Sequence, residues 1–400
     1  MARKYDLMAA GHLCIDIIPL FHDTGLTSIE QIILPGKLVN VGGAKISTGG
    51  PVSNTGISMK TLGRKVCFCA RAGDDELGKL TIDLLAKQGN AEGIHIVKGS
   101  ASSYTIVVAP PGIDRTFLHN PATNEEFCAD DLDPKLIAKC RHFHFGYPPL
   151  MKHLFENDGD QLQRVFQIAK EAGATTSCDM TLPDPHSESG KINWRLILQK
   201  ILPYMDVFVP SLEEAFYMLY PDKFLQMKAD LGGAELIDHI TPAEYSDFAD
   251  ELLEMGAGMT TLKSGHRGFY VKTGPKENFD NFGAAKPADY DNWANRQLWT
   301  QAFAISKPAV ATGSGDSSIA GFLTAFLNGL NIEQALKYAV CCGWQNVQVL
   351  DAVSGIHSWQ ETTQMIKDDM PMIEANIACQ GWSYSDEHKL WAGPNDPLSK

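Results

Sequence analysis

The chain has 400 residues, of which 44% are hydrophobic and 20% are charged, so it can bury a large core and does not have the composition of a disordered chain. Its formal net charge is −14, which argues against a general affinity for nucleic acid or for an anionic membrane. No run of about 18 apolar residues occurs, so no membrane-spanning helix is expected.

The N-terminus and the cysteines bear on the cellular compartment. Basic and then apolar residues open the chain, as in a secretory signal, but Asp6, His12 and Asp16 interrupt the apolar part. A first β-strand over "DLMAAGHLCIDII" is the better interpretation. The nine cysteines contain no CxxC pair and their number is odd, which favours buried free thiols over a disulfide framework or a metal site. The sequence therefore predicts a reducing, cytoplasmic environment.

Short apolar runs alternate with amphipathic helical patterns along most of the chain. After the first strand we predict a helix over "VSNTGISMKTLG" (52–63), a strand over "KVCFCARAG" (65–73) and a helix over "LGKLTIDLLAKQG" (77–89). Further strands are predicted at 142–146, 174–180, 205–211 and 258–265. This alternation predicts an α/β fold in which a mostly parallel sheet is covered by helices on both faces.

Four regions depart from the alternation. Residues 30–48 and 102–120 contain Pro-Gly and Gly-Gly turn signals and are interpreted as β-hairpins of a small accessory sheet. Residues 274–308 are polar and turn-rich, and are interpreted as an irregular insert. The tail 380–400 is interpreted as an extended arm. No internal repeat is seen. Since large α/β enzymes often keep one main body, a single domain over the whole chain is expected.

The stretch "ATGSGDSSIAGFLTAFLNG" (311–329) carries the strongest chemical signal. Gly313, Ser314 and Gly315, called the cradle below, allow backbone N–H groups to approach a ligand closely. The helix predicted to begin near Asp316 adds unpaired N–H groups and the positive end of its dipole, which together suit a phosphate. A carboxylate there would repel phosphate. Its presence makes sense if it accepts a proton from a hydroxyl that attacks the phosphate. The alternative is that a serine or aspartate simply caps the helix.

Two further groups suit a polyhydroxylated ligand. Gly49 and Gly50 allow close backbone approach, and Asn54 offers a donor and an acceptor from the first turn of a helix. A glycine turn with a helix cap is the alternative interpretation. Asp16 lies inside an apolar strand, where a carboxylate needs partners. Either backbone donors satisfy it or it faces the hydroxyls of a ligand, and the sequence leaves both open.

Two other clusters are weaker candidates. His142 and His144 lie on one face of a predicted strand, as metal ligands do, but no third ligand is evident, so core or solvent-facing histidines are favoured. Trp293 and Trp299 are candidates for stacking on adenine, although packing within their own loop is the preferred interpretation.

The order of these motifs resembles that of the ribokinase-like, or PfkB, carbohydrate kinases. An acid in the first strand, GGxxxN, KxGxxG at 263–268 and GSGD at 313–316 follow the family's order. "RAGDDELGK" (71–79) looks like the family's GxDxxG element, and "DVFVPSLEEA" (206–215) looks like its NxxE segment. The resemblance covers most of the chain. It implies a ribokinase-like three-layer sandwich with a small β lid, which phosphorylates a sugar hydroxyl with ATP and Mg²⁺.

The resemblance also implies roles for individual residues. Asp316 matches the catalytic base, and the cradle matches the anion hole that stabilises charge on the transferred phosphoryl group. The implied substrate residues are Asp16, Gly49, Gly50 and Asn54. The implied nucleotide and metal residues are Lys263, Gly265, Gly268 and Thr312 for ATP, and Glu214 for Mg²⁺ through water. The hairpins at 30–48 and 102–120 match the lid, which would close over the sugar and form a homodimer interface.

The sequence departs from the family pattern at three positions, and at one of them Ser314 stands where the family has alanine but still offers its backbone N–H. Ala311 stands where the family has an acid ahead of the GSGD motif, and Ser211 stands where the NxxE segment has its asparagine. None of these changes removes the base, so activity on a small sugar or polyol is expected, with no nucleic acid or membrane partner. The alternatives are a nucleoside or vitamin-precursor kinase of the same superfamily and a non-catalytic sugar or nucleotide sensor. The mostly aliphatic lid favours a sugar over a purine acceptor.

Overall fold

The structure, a computed structural model, describes residues 3–113, 115–305, 312–368, 370–375 and 377–399. The strands are β1 (Tyr5–Gly11), β2 (Cys14–Pro19), β3 (Ala44–Gly49), β4 (Val66–Gly73), β5 (Asn90–Val97), β6 (Tyr104–Val108), β7 (Thr116–Asn120), β8 (Cys140–Gly146), β9 (Thr175–Asp179), β10 (Val207–Phe208), β11 (Met259–Lys263), β12 (Phe269–Thr273), β13 (Gln297–Thr300), β14 (Ser383–Ser385) and β15 (Leu390–Ala392).

The α-helices are α1 (Ile29–Ile32), α2 (Pro51–Thr61), α3 (Glu76–Ala86), α4 (Pro134–Ile137), α5 (Lys152–Phe155), α6 (Asp160–Glu171), α7 (Trp194–Ile201), α8 (Leu212–Leu219), α9 (Pro221–Leu231), α10 (Pro242–Glu254), α11 (Lys276–Asp280), α12 (Tyr290–Trp293), α13 (Ser314–Leu327), α14 (Ile332–Asn346) and α15 (Trp359–Lys367). Within the described ranges, none of them is long and apolar enough to cross a membrane.

A large sheet forms the centre of the molecule, in the order β14-β15-β13-β12-β11-β10-β9-β8-β1-β4-β5. The strands from β11 to β5 in this order run parallel, and the other four are added antiparallel at one edge. Side chains of β1 alternate between two cores, because Met8 and Ala10 pack on one face and Leu7 and Ala9 on the other. Helices α6, α7 and α8 cover the first face, and α2, α13 and α14 cover the second. The predicted three-layer α/β architecture is confirmed.

The prediction of one strand over "DLMAAGHLCIDII" is wrong, because the chain changes sheets inside this run. Gly11 has a φ of 118°, and a Cβ there would collide with the backbone of Gly146 at the end of β8. At this close approach β1 ends, and the chain enters a second sheet as β2. Asp16 therefore lies in the second sheet. The apolar run is continuous in the sequence, so it does not mark the break.

The second sheet is small and has the order β3-β2-β6-β7. Residues 102–120 form the expected hairpin, because β6 and β7 pair antiparallel. The prediction of a hairpin within 30–48 is wrong. Ile29–Ile32 is a helical turn, and β3 pairs with β2 rather than with a strand in that range. The turn at Pro35 and Gly36 has no strand on either side of it, so this turn signal does not join two strands.

The interpretation of 274–308 as an irregular insert is also wrong for its described part. This region contains α11, α12 and β13, and β13 pairs with β12 and β15 inside the large sheet. Trp299 packs on Tyr245 with ring centroids 4.1 Å apart, and Trp293 packs on Phe326 at 5.3 Å. Both tryptophans are core residues that contact other elements, unlike either interpretation drawn from the sequence.

The tail is integrated into the large sheet and does not form an extended arm. Strands β14 and β15 continue the sheet beyond β13. The buried carboxylate of Asp396 accepts hydrogen bonds from Arg296 Nε at 3.0 Å and from the Gln297 N–H at 2.8 Å. The polar composition of the tail gave no sign of this ion pair, which connects the tail to the start of β13.

We expect Asp396→Asn to lower the free energy of unfolding by about 2 kcal/mol, because it removes one of the two carboxylates, Asp396 and Glu333, that pair with the buried Arg296 guanidinium. Equilibrium unfolding in guanidinium chloride measures this change. Asp386→Asn makes the same substitution at an exposed position of the tail and serves as the control. Equal stabilities of the two variants would show that the tail does not depend on this ion pair.

Candidate active site

A cavity of about 860 Å³ lies between the small sheet, the carboxyl ends of β9 and β11, and the N-terminus of α13. Ligand sites of α/β proteins with parallel sheets lie at this edge. Most residues singled out in the sequence line the cavity. They are Asp16, Gly50, Asn54, Glu214, Lys263, Gly265, Thr312, Gly313, Ser314, Gly315 and Asp316.

Gly49 and Gly268 lie behind this wall and make room for their neighbours. A Cβ on Gly49 would collide with the carboxylate of Asp16, and a Cβ on Gly268 would collide with the backbone oxygen of Thr300. Gly268 has a φ of 96° and borders a smaller cavity next to the first. Both glycines therefore shape the site rather than line its main cavity.

Asp316 is the third residue of α13, and only 1% of its surface is exposed. Its carboxylate accepts hydrogen bonds from Asn54 Nδ2 (3.0 Å), the Tyr147 hydroxyl (3.0 Å) and the Thr55 hydroxyl (3.4 Å). These donors come from α2 and from the residue that follows β8. The N-cap residue of α13 is Gly313, which has no side chain, so the helix-cap interpretation of this motif does not hold.

The surroundings of Asp316 adjust its basicity. Burial raises the pKa of Asp316 above its usual range, while the hydrogen bonds from Asn54 and Tyr147 and the charge of Lys263 act in the opposite direction. The net effect is a raised pKa, so this carboxylate holds a proton more strongly than an exposed aspartate. A general base that works near neutral pH needs this property.

Lys263, the last residue of β11, joins two carboxylates at the cavity wall. Its Nζ bonds to the carboxylate of Asp179, donates to Val209 O at 2.8 Å and lies 4.0 Å from a Glu214 oxygen. Burial alone would lower the pKa of Lys263, but the charges of Asp179 and Glu214 outweigh it and raise the pKa. The amine is therefore charged, and its side chain runs beside Gly315 of the cradle.

Ser211 and Glu214 form the capping box at the start of α8. The Ser211 hydroxyl accepts from the Glu214 N–H at 3.2 Å, and the Glu214 carboxylate accepts from the Ser211 N–H at 2.6 Å. Burial raises the pKa of Glu214, and the charge of Lys263 opposes that rise. The serine at the family's asparagine position thus holds the helix that presents Glu214 to the cavity.

One face of the small sheet, called the acceptor face below, supplies polar groups to the other end of the cavity. Asp16 is in register with Ser47 and Thr105, and Thr105 is in register with His119, so the four residues form a row across the sheet. Asp16, Thr105 and His119 line the cavity. His119 Nε2 lies 3.2 Å from His12 Nε2. Burial raises the pKa of Asp16 to about 6.

The smaller cavity has a volume of about 210 Å³ and shares the wall formed by Lys263, Gly265 and Gly315 with the first cavity. Its remaining walls are mainly apolar. They include Phe303, Ile305, Val340, Trp344 and Val347. A flat apolar group would fit here, next to the cradle.

Sequence reasoning missed Tyr147 and Thr55 as partners of Asp316, and Asp179 as the partner of Lys263. Tyr147 directly follows β8 and has a φ of 61°, which is uncommon for a bulky residue and marks a constrained position. Its place just after the carboxyl end of a strand is the signal that could have identified it. Ala311, which occupies the position of the family's leading acid, lies outside the described residues.

His142 and His144 are core histidines, as the sequence analysis favoured. Both rings are buried and bond to the hydroxyl of Ser177, at 2.7 Å and 2.8 Å. Burial lowers the pKa of both imidazoles, so they are neutral.

Comparison with known proteins identifies the family. The model of the pfkB family carbohydrate kinases matches residues 6–359. The chain belongs to the PfkB family. Among its relatives, the fructokinase of Solanum tuberosum is 30% identical over 182 residues, which are 45% of this chain and 52% of the relative. The 5-dehydro-2-deoxygluconokinase of Lacticaseibacillus casei is 20% identical over 375 residues, 92% of this chain and 97% of the relative. The chain spans about half the length of the fructokinase it matches.

Solved structures confirm the ribokinase fold. The ribokinase of Arabidopsis thaliana complexed with ribose and ATP has a TM-score of 0.63 at 16% identity, over 92% of this chain and 99% of that one. The fructokinase of Xylella fastidiosa with bound ATP has a TM-score of 0.64 at 17% identity, over 91% of this chain and 98% of that one. At such identities the likeness concerns the fold, and it agrees with the large sheet and the small separate sheet described above.

We expect Tyr147→Phe to move the acid limb of the kcat–pH profile to higher pH. The Tyr147 hydroxyl donates to Asp316 and lowers the pKa of its carboxyl group, so loss of the hydroxyl raises that pKa. Activity that requires the ionised carboxylate is then lost at a higher pH as the solution is acidified. The control is Tyr217→Phe, which removes a hydroxyl that bonds to Gly190 O away from the cavity. An acid limb that stays in place in Tyr147→Phe would disprove this coupling.

Proposed function

We propose that this PfkB-family chain transfers the γ-phosphoryl group of ATP to a hydroxyl of a sugar or related polyol. The position of Asp316 carries the proposal. It is a buried carboxylate in the first turn of α13, in the wall of a cavity that extends from the acceptor face to Lys263. A site that only binds phosphate gains nothing from a negative charge at a helix N-terminus. A site that must take a proton from an attacking hydroxyl does gain from it.

The acceptor would bind between Asn54 and Asp16. Among the described residues, the Asn54 side-chain oxygen is buried without a hydrogen-bond partner, although its Nδ2 donates to Asp316. A buried acceptor atom without a donor costs free energy, and a ligand hydroxyl would satisfy it. The Asp16 carboxylate is a second acceptor on the same cavity wall. Vicinal hydroxyls of a sugar or polyol match this pair.

In the proposed reaction, the acceptor hydroxyl gives its proton to Asp316 while its oxygen forms a bond to phosphorus. The bond between that phosphorus and the leaving ADP oxygen breaks. Hydrogen bonds from Asn54, Thr55 and Tyr147 orient the carboxylate for this transfer. The first-turn N–H groups of α13 and the ammonium group of Lys263 stabilise negative charge on the transferred group.

The walls of the two cavities fit ATP and Mg²⁺. The apolar cavity beside the cradle suits an adenine base, with Gly265 and Thr312 along the path to the phosphates. Glu214 and Asp179 offer carboxylate oxygens in the same wall. In the described parts of the chain, no three metal-ligating side chains are grouped together, so Mg²⁺ would take its other ligands from phosphate and water. Bound there, it would neutralise charge on the phosphates.

A nucleoside is the second candidate acceptor. Phe117 and Tyr147 place aromatic rings in the cavity wall, and His12 and His119 add two imidazoles near Asp16. Rings of this kind stack on a base. Phe117 and His119 belong to the lid segment 102–120, whereas His12 and Tyr147 lie outside it.

We expect Asp316→Asn to lower turnover by about 100-fold or more while ATP binding is nearly unchanged, because the amide cannot accept the proton. ADP release from MgATP is measured against sugars, sugar acids, polyols and nucleosides, and ATP binding is measured by calorimetry. Asp83→Asn, an exposed site on α3, is the control. Full turnover in Asp316→Asn would remove this residue from the mechanism. If the wild-type chain binds ATP but phosphorylates none of these acceptors, the result would favour a non-catalytic sensor.

The thiols support a reducing, cytoplasmic location for this enzyme. The nine cysteines are free, and seven of them are buried. Buried free cysteines behave as small hydrophobic residues and are typical of proteins from reducing compartments.

The outer face of the small sheet supports a homodimer through the lid. Ile46, Ile17, Ile106 and Leu118 are in register and form an apolar row across all four strands. At the two edges of the row, Ile46 is 48% exposed and Leu118 is 54% exposed. A second copy of the sheet would cover this row, as burial of apolar surface favours.

We expect the wild-type chain to sediment at twice its monomer mass and Leu118→Lys to sediment as a monomer, because a charge in the row cannot be buried against a second copy. Analytical ultracentrifugation measures both. Leu225→Lys places the same charge at an exposed leucine of α9 and should stay dimeric. A monomeric wild type, or a Leu118→Lys dimer, would rule out this interface.

A further inference from the structure

An ion pair joins the small sheet to a loop beside the cradle. Lys45 Nζ of β3 bonds to the carboxylate of Asp351, which lies 306 residues further along the chain. The Lys45 side chain is 43% exposed, whereas the Asp351 side chain is 1% exposed. One end of the pair is therefore fixed inside the body of the molecule, and the other lies on an edge strand of the small sheet.

The Asp351 carboxylate organises its own loop. One oxygen accepts from the N–H groups of Val353 at 2.9 Å and Ser354 at 2.6 Å, and the other accepts from the Ser354 hydroxyl at 2.5 Å. Burial acts to raise the pKa of Asp351, but the hydrogen bonds from Lys45 and Ser354 outweigh it and lower the pKa to about 2. The carboxylate is thus charged near neutral pH, and its position sets the conformation of the loop.

The same loop packs against the cradle. Ala352 is buried, and a Cβ on Gly313 would lie 2.5 Å from the Cβ of Ala352. At the end of α14, Asn346 Nδ2 donates to Thr312 O at 2.6 Å. A displacement of Asp351 would therefore displace the residues that begin α13 and its N–H groups.

Lys45 lies on the strand that flanks Asp16. In the pairing of β2 with β3, Ser47 is in register with Asp16, and Lys45 is two residues before Ser47. Residues two apart on a strand point to the same face, so Lys45 belongs to the face that carries Asp16. The ion pair connects the acceptor face to the loop under the cradle.

We propose that Lys45 and Asp351 are positioning residues that set the distance between the acceptor face and the cradle. This inference rests on the proposed phosphoryl transfer. In that reaction the hydroxyl oxygen would be held on the small sheet and the phosphorus at the start of α13, and a misplacement of about 1 Å between reacting groups costs about 100-fold in rate. Lys45 is half-exposed, and without it the buried Asp351 carboxylate keeps its hydrogen bonds from Val353 and Ser354, so the loss of Lys45 should act on transfer more than on folding.

The test compares Lys45→Met, Asp351→Asn and the double variant. Each single variant should lower kcat by about 10-fold or more and change the Kd for ATP by a smaller factor, and the double variant should be no slower than the slower single variant. Lys45→Arg keeps the charge and should recover most of the rate. Lys37→Met, an exposed lysine in the segment before β3, should leave kcat unchanged. Equal rates in Lys45→Met and Lys37→Met, or additive losses in the double variant, would overturn the proposal.

Amide hydrogen exchange separates this proposal from the proposed function. Lys45→Met should speed exchange of the Val353 and Ser354 amides and of β3, since the bond that ties them is gone. If wild type phosphorylates no acceptor but this exchange increases, the proposed function fails and the link between sheet and loop stands. If exchange at both places is unchanged, the link itself is refuted, whatever the turnover.

Discussion

The burial of one carboxylate constrains the arrangement of the elements around it. Asp316 lies in the first turn of α13 with almost no exposed surface, where an unpaired charge would be costly. Its donors come from Asn54 and Thr55 on α2 and from Tyr147 after β8, and Lys263 of β11 adds an opposite charge. Helices α2 and α13 must therefore pack together on one face of the large sheet, and β8 and β11 must end at the same edge. The core on that face and the geometry of the site depend on the same contacts.

The cavity is assembled from two sheets that the chain joins at only a few points. Asp16 belongs to the small sheet, whereas Asp316 belongs to the layer that covers the large one. Gly50 is one backbone connection between the two layers. It lies between β3 of the small sheet and α2, which carries Asn54, and its φ is 82°. The pair Lys45–Asp351 is a second connection, made by charge rather than by the backbone. The proposed transfer of a phosphoryl group to a hydroxyl would require a fixed distance between the two sheets, which would give these connections a role in the reaction.

Features that depend on residues near one another in the sequence were predicted, and features that depend on residues far apart in the sequence were not. Helices α2 and α3, strand β4 and the GSGD motif are local patterns, so they were predicted from periodicity and glycine placement. The break between β1 and β2 and the short strands β13 to β15 depend on distant pairing partners, and they were missed. Tyr147 reaches Asp316 across 169 residues, and Lys45 reaches Asp351 across 306. The sequence can place Tyr147 at the end of a strand, but it contains no local signal that pairs either side chain with its distant partner. Resemblance to the PfkB family supplied roles for the local motifs alone.

The pH dependence of kcat at saturating acceptor and MgATP tests the role of Asp316 most directly. The turnover number is the right quantity because Asp16, whose pKa burial raises to about 6, is also proposed to bind the acceptor. If Asp316 is the base, wild-type kcat falls as the pH drops through the raised pKa of its carboxyl group. The residual kcat of Asp316→Asn then stays level over the same range. An identical acid limb in the variant would contradict the account, because the group that titrates would have to be another one.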